Sequence, residues 1–274
     1  MYQSIGMQVN DQNVILETYL LKNYAEIDGE RKRPLVVICP GGSYGTLSQR
    51  EGEPVAIRLN AMGFHAVVLS YHVAPARYPQ ALCELGSTVA LIREHAEDWN
   101  VEEDQIFVMG FSAGGHLAAS LGVAWKKRFL SDLTHKSSDQ LKPNGLILCY
   151  PVITMKEFCH EESRDNLLGT DAEKALLNET SLEMQVNKDM PPVFLWHTFT
   201  DALVPAENSL LFSMALKEKG VPFELHIYPK GVHGLSLATK ETTPIDKPQF
   251  TEACCAGWMD NACRWMREIA IDGL

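Results

Sequence analysis

The sequence predicts an α/β fold in which a mostly parallel central sheet carries helices on both faces. Short, nearly unbroken apolar runs recur along the 274 residues, and segments with helical spacing of apolar residues separate them. Such runs are typical of strands that are buried on both faces of a parallel sheet. Because strand and helix alternate, we expect right-handed crossovers and a doubly wound sheet.

The apolar runs give six predicted strands, at residues 35–39, 66–71, 106–110, 146–150, 193–198 and 223–228. Helical periodicity gives five predicted helices, at residues 53–62, 79–97, 113–125, 206–219 and 249–268. A looser alternation of apolar residues over 4–21 predicts an antiparallel pair at the sheet edge.

One domain spanning residues 1–274 is the expected organisation, because no repeat, low-complexity tract or linker divides the chain. The polar stretch 151–192 breaks the alternation of strands and helices. A connection of this length is more often functional than inert. We interpret it as a lid or insertion over the site, with an ordinary surface excursion as the alternative.

Composition disfavours several classes of function. The formal net charge is −11 at pH 7 and basic residues are not clustered, whereas binding to nucleic-acid phosphates requires clustered Lys and Arg. We find neither an export signal nor an apolar run of about 18 residues that would span a membrane. The seven cysteines lack zinc-type spacing, so we expect reduced thiols, no metal, no cofactor and a cytoplasmic location. The role of the adjacent Cys254 and Cys255 stays open, as does assembly into a homo-oligomer.

The candidate nucleophile is Ser112, in the G-x-S-x-G pattern at residues 110–114. The pattern alone is weak, since roughly one chain in ten of this length would contain it by chance. Here it follows a predicted strand and opens a predicted helix, which is the context that makes it specific. Gly110 and Gly114 would let strand and helix approach closely and let the serine adopt a strained backbone. The helix N-terminus would offer the Ala113 N–H to an oxyanion.

A second oxyanion donor is expected from the loop after residues 35–39, which reads Pro-Gly-Gly-Ser-Tyr-Gly. Glycines there let a backbone N–H turn toward a substrate, and Gly42 and Ser43 are the chosen donors. A Pro-Gly-Gly turn is ordinary by itself, so this assignment depends on the nucleophile motif. We expect His116, one turn along the predicted helix, to be a structural hydrogen bonder.

The candidate general base is His233, because a serine nucleophile needs a neutral imidazole to accept its proton. Chain order in folds with this turn is serine, acid, histidine, which leaves His226 and His233. His226 lies within the predicted strand 223–228, whereas His233 lies in the loop that follows it. Active sites of open α/β sheets lie beyond the carboxyl ends of the strands, which favours His233.

The same reasoning selects Asp201 as the acid that orients the base. It follows the predicted strand 193–198 in a loop next to that of His233. Asp189 precedes that strand and would lie at the opposite edge of the sheet. Glu207 reads as an acid in the first turn of a helix.

Five stretches resemble the bacterial acetyl esterase, acetylxylan esterase and feruloyl esterase-like group of the α/β-hydrolases, which is related to the hormone-sensitive-lipase-like enzymes. They are PGGSYG, LSYHVAPARYP, GFSAGGHLAASLG, FLWHTFTDALVP and YPKGVHGLSLA, between about residues 40 and 238. The resemblance implies the α/β-hydrolase fold and acetylated sugars as substrates, and it places Ser112, Asp201 and His233 on the triad positions of the group. Related enzymes often carry His-Gly-Gly-Gly where this chain has Pro-Gly-Gly-Ser.

We therefore expect a serine esterase that acts on short acyl esters through an acyl-enzyme on Ser112. An arylformamidase-like amide hydrolase is an alternative, because acyl transfer from nitrogen uses the same groups. A ligand receptor on a decayed hydrolase fold is a further alternative. It predicts a missing nucleophile or base, and the sequence retains both.

Overall fold

The computed structural model describes residues 2–272, and these contain a sheet of eight strands. The strand order is β1-β2-β4-β3-β5-β6-β7-β8. β2 pairs antiparallel with β1 and with β4, and the remaining pairs are parallel. The strands are β1 Tyr2–Val9, β2 Gln12–Tyr19, β3 Arg33–Cys39, β4 His65–Ser70, β5 Val101–Phe111, β6 Gly145–Cys149, β7 Val193–Thr198 and β8 Phe223–Tyr228.

Ten helices are described. They are α1 Glu53–Ala61, α2 Gln80–Glu94, α3 Ala96–Trp99, α4 Ala113–Ala124, α5 Arg128–Thr134, α6 Ser138–Leu141, α7 Glu161–Leu168, α8 Lys174–Thr180, α9 Glu207–Lys219 and α10 Trp258–Asp272. Single 3₁₀ turns occur at Gln49–Glu51, Leu182–Met184, Lys240–Thr242 and Pro248–Phe250.

The sheet separates two apolar cores, because successive side chains of a strand point to opposite faces. Val37 of β3 belongs to the core that contains Leu117 of α4, together with residues of α2 and α9. Its neighbour Val36 belongs to the other core, with Val55 of α1 and Trp258 of α10. Helices therefore cover both faces, and the α/β class with a mostly parallel sheet is confirmed.

The six predicted strands and the antiparallel pair at the edge are all present, but two helix predictions were wrong in extent. The helix predicted at 79–97 breaks at His95, which lies between α2 and α3. The helix predicted at 249–268 begins only at Trp258, since Pro248–Phe250 forms a 3₁₀ turn. In this stretch the Glu252 N–H bonds to Ala238 O at 3.0 Å, a tertiary contact that outweighs local helical periodicity.

The segment 151–192 lies against the loop that follows β3. It carries α7 and α8, and Asn166 of α7 donates from Nδ2 to Ser43 O at 3.0 Å. Asn208 of α9 holds its beginning, by accepting hydrogen bonds from the N–H groups of Ile153 and Thr154. The lid or insertion role of this segment and the single-domain organisation stay predictions.

Three further observations concern membrane spans, metal sites and cysteines. None of the helices between residues 2 and 272 has both the length and the apolar character needed to cross a membrane. In the same part of the chain, no three His, Cys, Asp or Glu side chains group together in a way that could hold a metal ion. All seven cysteines are free thiols.

Candidate active site

Ser112 lies at a sharp turn between β5 and α4. Its backbone has φ +52° and ψ −115°, a region that non-glycine residues rarely adopt. A Cβ on Gly110 would lie 2.0 Å from Gly114 O, and a Cβ on Gly114 would lie 2.0 Å from Cys39 O. Glycine is therefore required at both positions for α4 to approach the ends of β3 and β5. The Ser112 N–H donates to Cys149 O at 3.0 Å, which fixes the turn to β6.

The loops that follow β3, β5, β7 and β8 all leave the sheet at the same edge, because these strands are parallel. This arrangement brings together the three residues proposed from the sequence. Ser112 Oγ lies 2.8 Å from His233 Nε2, and His233 Nδ1 lies 2.7 Å from Asp201 Oδ2. The Asp201 side chain is fully buried and that of His233 is 13% exposed.

These two hydrogen bonds define the chemistry that the site can perform. A carboxylate only accepts hydrogen bonds, so Nδ1 of His233 carries the proton that faces Asp201. Nε2 then has its lone pair directed at the Ser112 hydroxyl and can accept its proton.

Four donors surround the Asp201 carboxylate. Oδ1 accepts from the N–H groups of Leu203 and Val204, both at 3.0 Å. Oδ2 lies between His233 and His197 Nε2, the latter at 3.3 Å, and the His197 Nε2–H is shared with Val204 O at 2.9 Å. Burial by itself would raise the pKa of Asp201. The hydrogen bonds from His197 and His233 outweigh that effect, so the pKa lies well below its usual range. The group is thus held ionised beside the imidazole.

The rival residues take no part in this constellation. His226 lies on β8 and pairs with Glu224 at 2.7 Å. Asp189 forms an ion pair with Lys126 at 3.1 Å, and Glu207 is the first residue of α9. The hydrogen bonds to Ser112 and His233 described above thus come from His233 and Asp201.

His116 is buried and bonded on both ring nitrogens, as expected of a structural residue. Nδ1 lies 2.9 Å from the Tyr44 hydroxyl and Nε2 lies 2.9 Å from Thr180 O. Since a carbonyl only accepts, Nε2 donates and Nδ1 accepts from the tyrosine. Burial lowers the pKa of His116 to about 4, which keeps the ring neutral. The histidine thus links the loop after β3 to the segment 151–192.

The backbone of the loop after β3 has left-handed conformations at Gly42 (φ +131°), Ser43 (φ +56°) and Tyr44 (φ +55°). A Cβ on Gly42 would lie 2.2 Å from Thr46 O, so this position requires glycine. Across residues 2–272, no acceptor binds the N–H groups of Gly42, Ser43 or Ala113, the three predicted oxyanion donors. These groups are free to bind a substrate oxygen.

A family model described as BD-FAE matches residues 21–216. The chain belongs to the BD-FAE family. The matched span includes Ser112 and Asp201 and ends before His233. The position of the candidate base therefore rests on its hydrogen bonds.

Two curated proteins are similar to this chain in sequence. The chain is 38% identical over 215 residues to endo-1,4-beta-xylanase B of Butyrivibrio fibrisolvens. It is 31% identical over 210 residues to an acetylxylan esterase of Xylanibacter ruminicola. These matches cover 77% and 74% of this chain but 34% and 41% of those proteins. The chain thus spans well under half the length of either relative.

Two solved structures cover nearly the whole chain. The acetyl ester-xyloside bifunctional hydrolase of Caldicellulosiruptor lactoaceticus superposes with a TM-score of 0.81 at 36% identity, covering 95% of this chain and 90% of that one. The carboxylesterase Cest-2923 of Lactobacillus plantarum WCFS1 gives 0.84 at 29% identity, covering 98% of both. The predicted α/β-hydrolase fold and the resemblance to the acetyl esterase and acetylxylan esterase group are both confirmed. The BD-FAE chain thus has the α/β-hydrolase fold.

Sequence reasoning missed three residues of this BD-FAE site. His197 reads as a core residue of β7, yet it touches Asp201. Tyr150 follows β6, and its ring lies edge-on to the His233 ring at 5.1 Å between centroids. Glu51 reads as an ordinary acid near a helix start but is 3% exposed and bonded to Tyr150. The only signal for Glu51 is its place in the loop region between β3 and α1, shortly after the predicted oxyanion donors.

Proposed function

We propose that this chain hydrolyses carboxylic esters with short acyl groups, acetyl above all, through an acyl-enzyme on Ser112. The observation that carries the proposal is the pair of hydrogen bonds, at 2.8 Å and 2.7 Å, that joins Ser112 to His233 and His233 to Asp201. This geometry supports a nucleophile, a general base and an orienting acid in those roles.

The reaction begins when Ser112 Oγ attacks the ester carbonyl carbon and its proton moves to Nε2 of His233. Asp201 stabilises the imidazolium that forms. The oxyanion accepts hydrogen bonds from the Ala113 N–H and from the loop after β3, at Gly42 and Ser43. His233 then gives its proton to the alcohol as the carbon–oxygen bond breaks.

Hydrolysis of the acyl-enzyme repeats these steps with water. His233 takes a proton from the water as its oxygen attacks the acyl carbon, and it returns the proton to Ser112 Oγ as the carboxylic acid leaves. The enzyme is regenerated, and the cycle requires no redox step.

Neutral acetylated sugars or oligosaccharides are the proposed substrates. Support comes from the relatives named acetylxylan esterase and acetyl ester-xyloside bifunctional hydrolase. A net charge of −11 also disfavours polyanionic substrates, although salt limits this effect to about 8 Å from each charge. Neutral sugar esters experience no such repulsion.

The test is a series of p-nitrophenyl esters from acetate to decanoate, followed by acetylated xylo-oligosaccharides. We expect catalytic efficiency to be highest for acetate. Ser112→Ala is the inactive reference, and Ser131→Ala on α5 is the matched control that removes a hydroxyl elsewhere. A maximum at eight or more carbons would contradict the acetyl preference, and faster hydrolysis of aryl formamides than of esters would favour the amide-hydrolase alternative.

A further inference from the structure

Glu51 is a buried carboxylate that lies behind the candidate triad, and neutral donors hold both of its oxygens. It is 3% exposed and ends the turn Gln49–Glu51, just before α1. Oε2 accepts from the Gly41 N–H at 2.8 Å, and Oε1 accepts from the Tyr150 hydroxyl at 2.6 Å. A buried carboxylate is costly unless its oxygens are bonded, so these two contacts define what the residue does.

The first contact fixes the start of the oxyanion loop. Gly41 immediately precedes Gly42 and Ser43, and its N–H is occupied by Glu51, unlike theirs. A Cβ on Gly41 would lie 2.8 Å from Glu51 Oε2 and 3.1 Å from Ser112 Cβ. Gly41 is therefore pressed between the carboxylate and the nucleophile. Hydrogen bonds to a carboxylate are shorter and stronger than those between neutral groups, which suits this one to fixing the position of the loop.

The second contact reaches the loop that carries the base. The Tyr150 oxygen accepts from the Ser236 N–H at 2.9 Å while its hydroxyl donates to Glu51. Its ring lies edge-on to His233. Ser236 and Tyr150 both have left-handed backbones, at φ +53° and φ +38°, so neither position is held by regular secondary structure. These side-chain contacts hold the loop instead.

Arg50, the residue before Glu51, reinforces the same connection. Its guanidinium donates to Gly234 O at 2.9 Å, directly after His233. Its own carbonyl accepts from Ser236 Oγ at 2.6 Å. The 3₁₀ turn thus contacts the His233 loop at Gly234 and Ser236 and the oxyanion loop at Gly41.

We propose that Glu51 is a positioning residue, whose carboxylate fixes the positions of the oxyanion loop and the His233 loop relative to Ser112. This inference rests on the proposed esterase function. This role requires a hydrogen-bond acceptor at both oxygen positions of the Glu51 side chain. The Gly41 N–H can only donate, and the Tyr150 hydroxyl donates its single hydrogen to Glu51 while its oxygen accepts from Ser236. Glutamine supplies one acceptor and one donor in place of the two acceptors. Glu51→Gln therefore loses one contact, and Glu51→Ala loses both.

The experiment compares Glu51→Gln, Glu51→Ala and Tyr150→Phe with Glu53→Gln, which changes an exposed carboxylate two residues away. Steady-state hydrolysis of p-nitrophenyl acetate is measured well below the melting temperature, with the folded fraction of each variant determined by near-ultraviolet circular dichroism. Loss of one oxyanion donor typically lowers kcat by about 10²–10³. We expect a loss of about 10² for Glu51→Ala, a smaller loss for Glu51→Gln and Tyr150→Phe, KM within about twofold, and no change for Glu53→Gln.

A trifluoromethyl ketone inhibitor separates positioning from a merely structural role. Its adduct with the serine places an oxyanion where the transition state has one, so its inhibition constant should rise in parallel with the fall in kcat/KM. Loss of stability alone would lower the melting temperature and leave both constants per folded molecule unchanged. That result overturns the proposal, as does an equal loss in Glu53→Gln.

The outcomes for the esterase function and for Glu51 are distinct. A wild-type chain that hydrolyses no ester contradicts the proposed function. An active wild type whose Glu51→Ala variant keeps kcat within about threefold contradicts only the role of Glu51. If Glu51→Ala does not fold, Glu51→Gln and Tyr150→Phe decide, and unchanged kcat in both overturns the proposal.

Discussion

Replacing Gly114 by alanine tests whether the placement of Ser112 depends on the close approach of α4 to β3. A Cβ at position 114 would lie 2.0 Å from Cys39 O and 2.5 Å from Pro40 O, whereas real Cβ contacts below 3.0 Å essentially never occur. Both neighbours are backbone atoms, so the start of α4 must move by about 1 Å. A displacement of that size between reacting groups can cost about a hundredfold in rate. We expect kcat on p-nitrophenyl acetate to fall by about that factor.

Gly122→Ala is the matched control, because it crowds the same helix far along from Ser112. Its Cβ would lie 2.5 Å from Cδ1 of Leu146 and 3.0 Å from Cε of Met190, which are the ends of flexible side chains. Both substitutions should lower the free energy of unfolding in urea by about 1–3 kcal/mol. Only Gly114→Ala should change kcat. If the two variants kept kcat values within about threefold of each other, the close approach would not control the position of the nucleophile.

Three further predictions concern the site and its surroundings. Ser112→Ala should lower kcat by about 10⁴–10⁶ with an unchanged melting temperature, and turnover within about tenfold of the parent would rule out Ser112 as the nucleophile. The lowered pKa of Asp201 contributes stability that is fully present above the usual carboxyl pKa of about 3.9 and is lost as the pH falls toward the folded-state value. The difference in unfolding free energy between wild type and Asp201→Asn, measured in urea, should therefore shrink between pH 6 and pH 3, and a difference that grew on acidification would contradict the hydrogen-bonding account. Alkylation by iodoacetamide should leave ester hydrolysis intact, since burial raises the pKa of the Cys39 and Cys149 thiols. An organophosphorus reagent, in contrast, should label Ser112. Stoichiometric loss of activity on alkylation of one cysteine would contradict this prediction.

The strands could be predicted because short apolar runs are a local property of the sequence; the run of β7 is buried on both faces, and that of β8 is half-buried throughout. Residues 193–198 and 223–228 match β7 and β8 at both ends. Helix ends were less predictable, since they depend on contacts made after folding. The turn that delays α10 is held by tertiary contacts. The Glu252 N–H bonds to Ala238 O in the loop after β8, and the guanidinium of Arg50, from the turn before α1, lies 4.4 Å from the Phe250 ring centroid.

The candidate site shows the same division between local and distant information. Ser112, Asp201 and His233 could be selected because each follows a recognisable strand, and parallel strands bring their carboxyl ends to one edge. Glu51 and Tyr150 could not be selected, since their roles depend on contacts that no local pattern indicates. Glu51 bonds to Gly41, ten positions before it, and to Tyr150, 99 positions after it. Apolar periodicity indicates which face a residue occupies but does not indicate which side chains meet across that face.

The contacts of Asn166 and Thr180 limit how the segment 151–192 can be exchanged in engineered variants. Asn166 bonds the backbone of Ser43, and the carbonyl of Thr180 holds His116, which in turn holds Tyr44. The segment is thus not an interchangeable module. A chimera that exchanges it with a homologue to alter substrate choice must retain an amide donor at position 166 and a carbonyl at the place of residue 180. Without them the exchange would disturb the turn that carries the proposed oxyanion donors as well as the specificity.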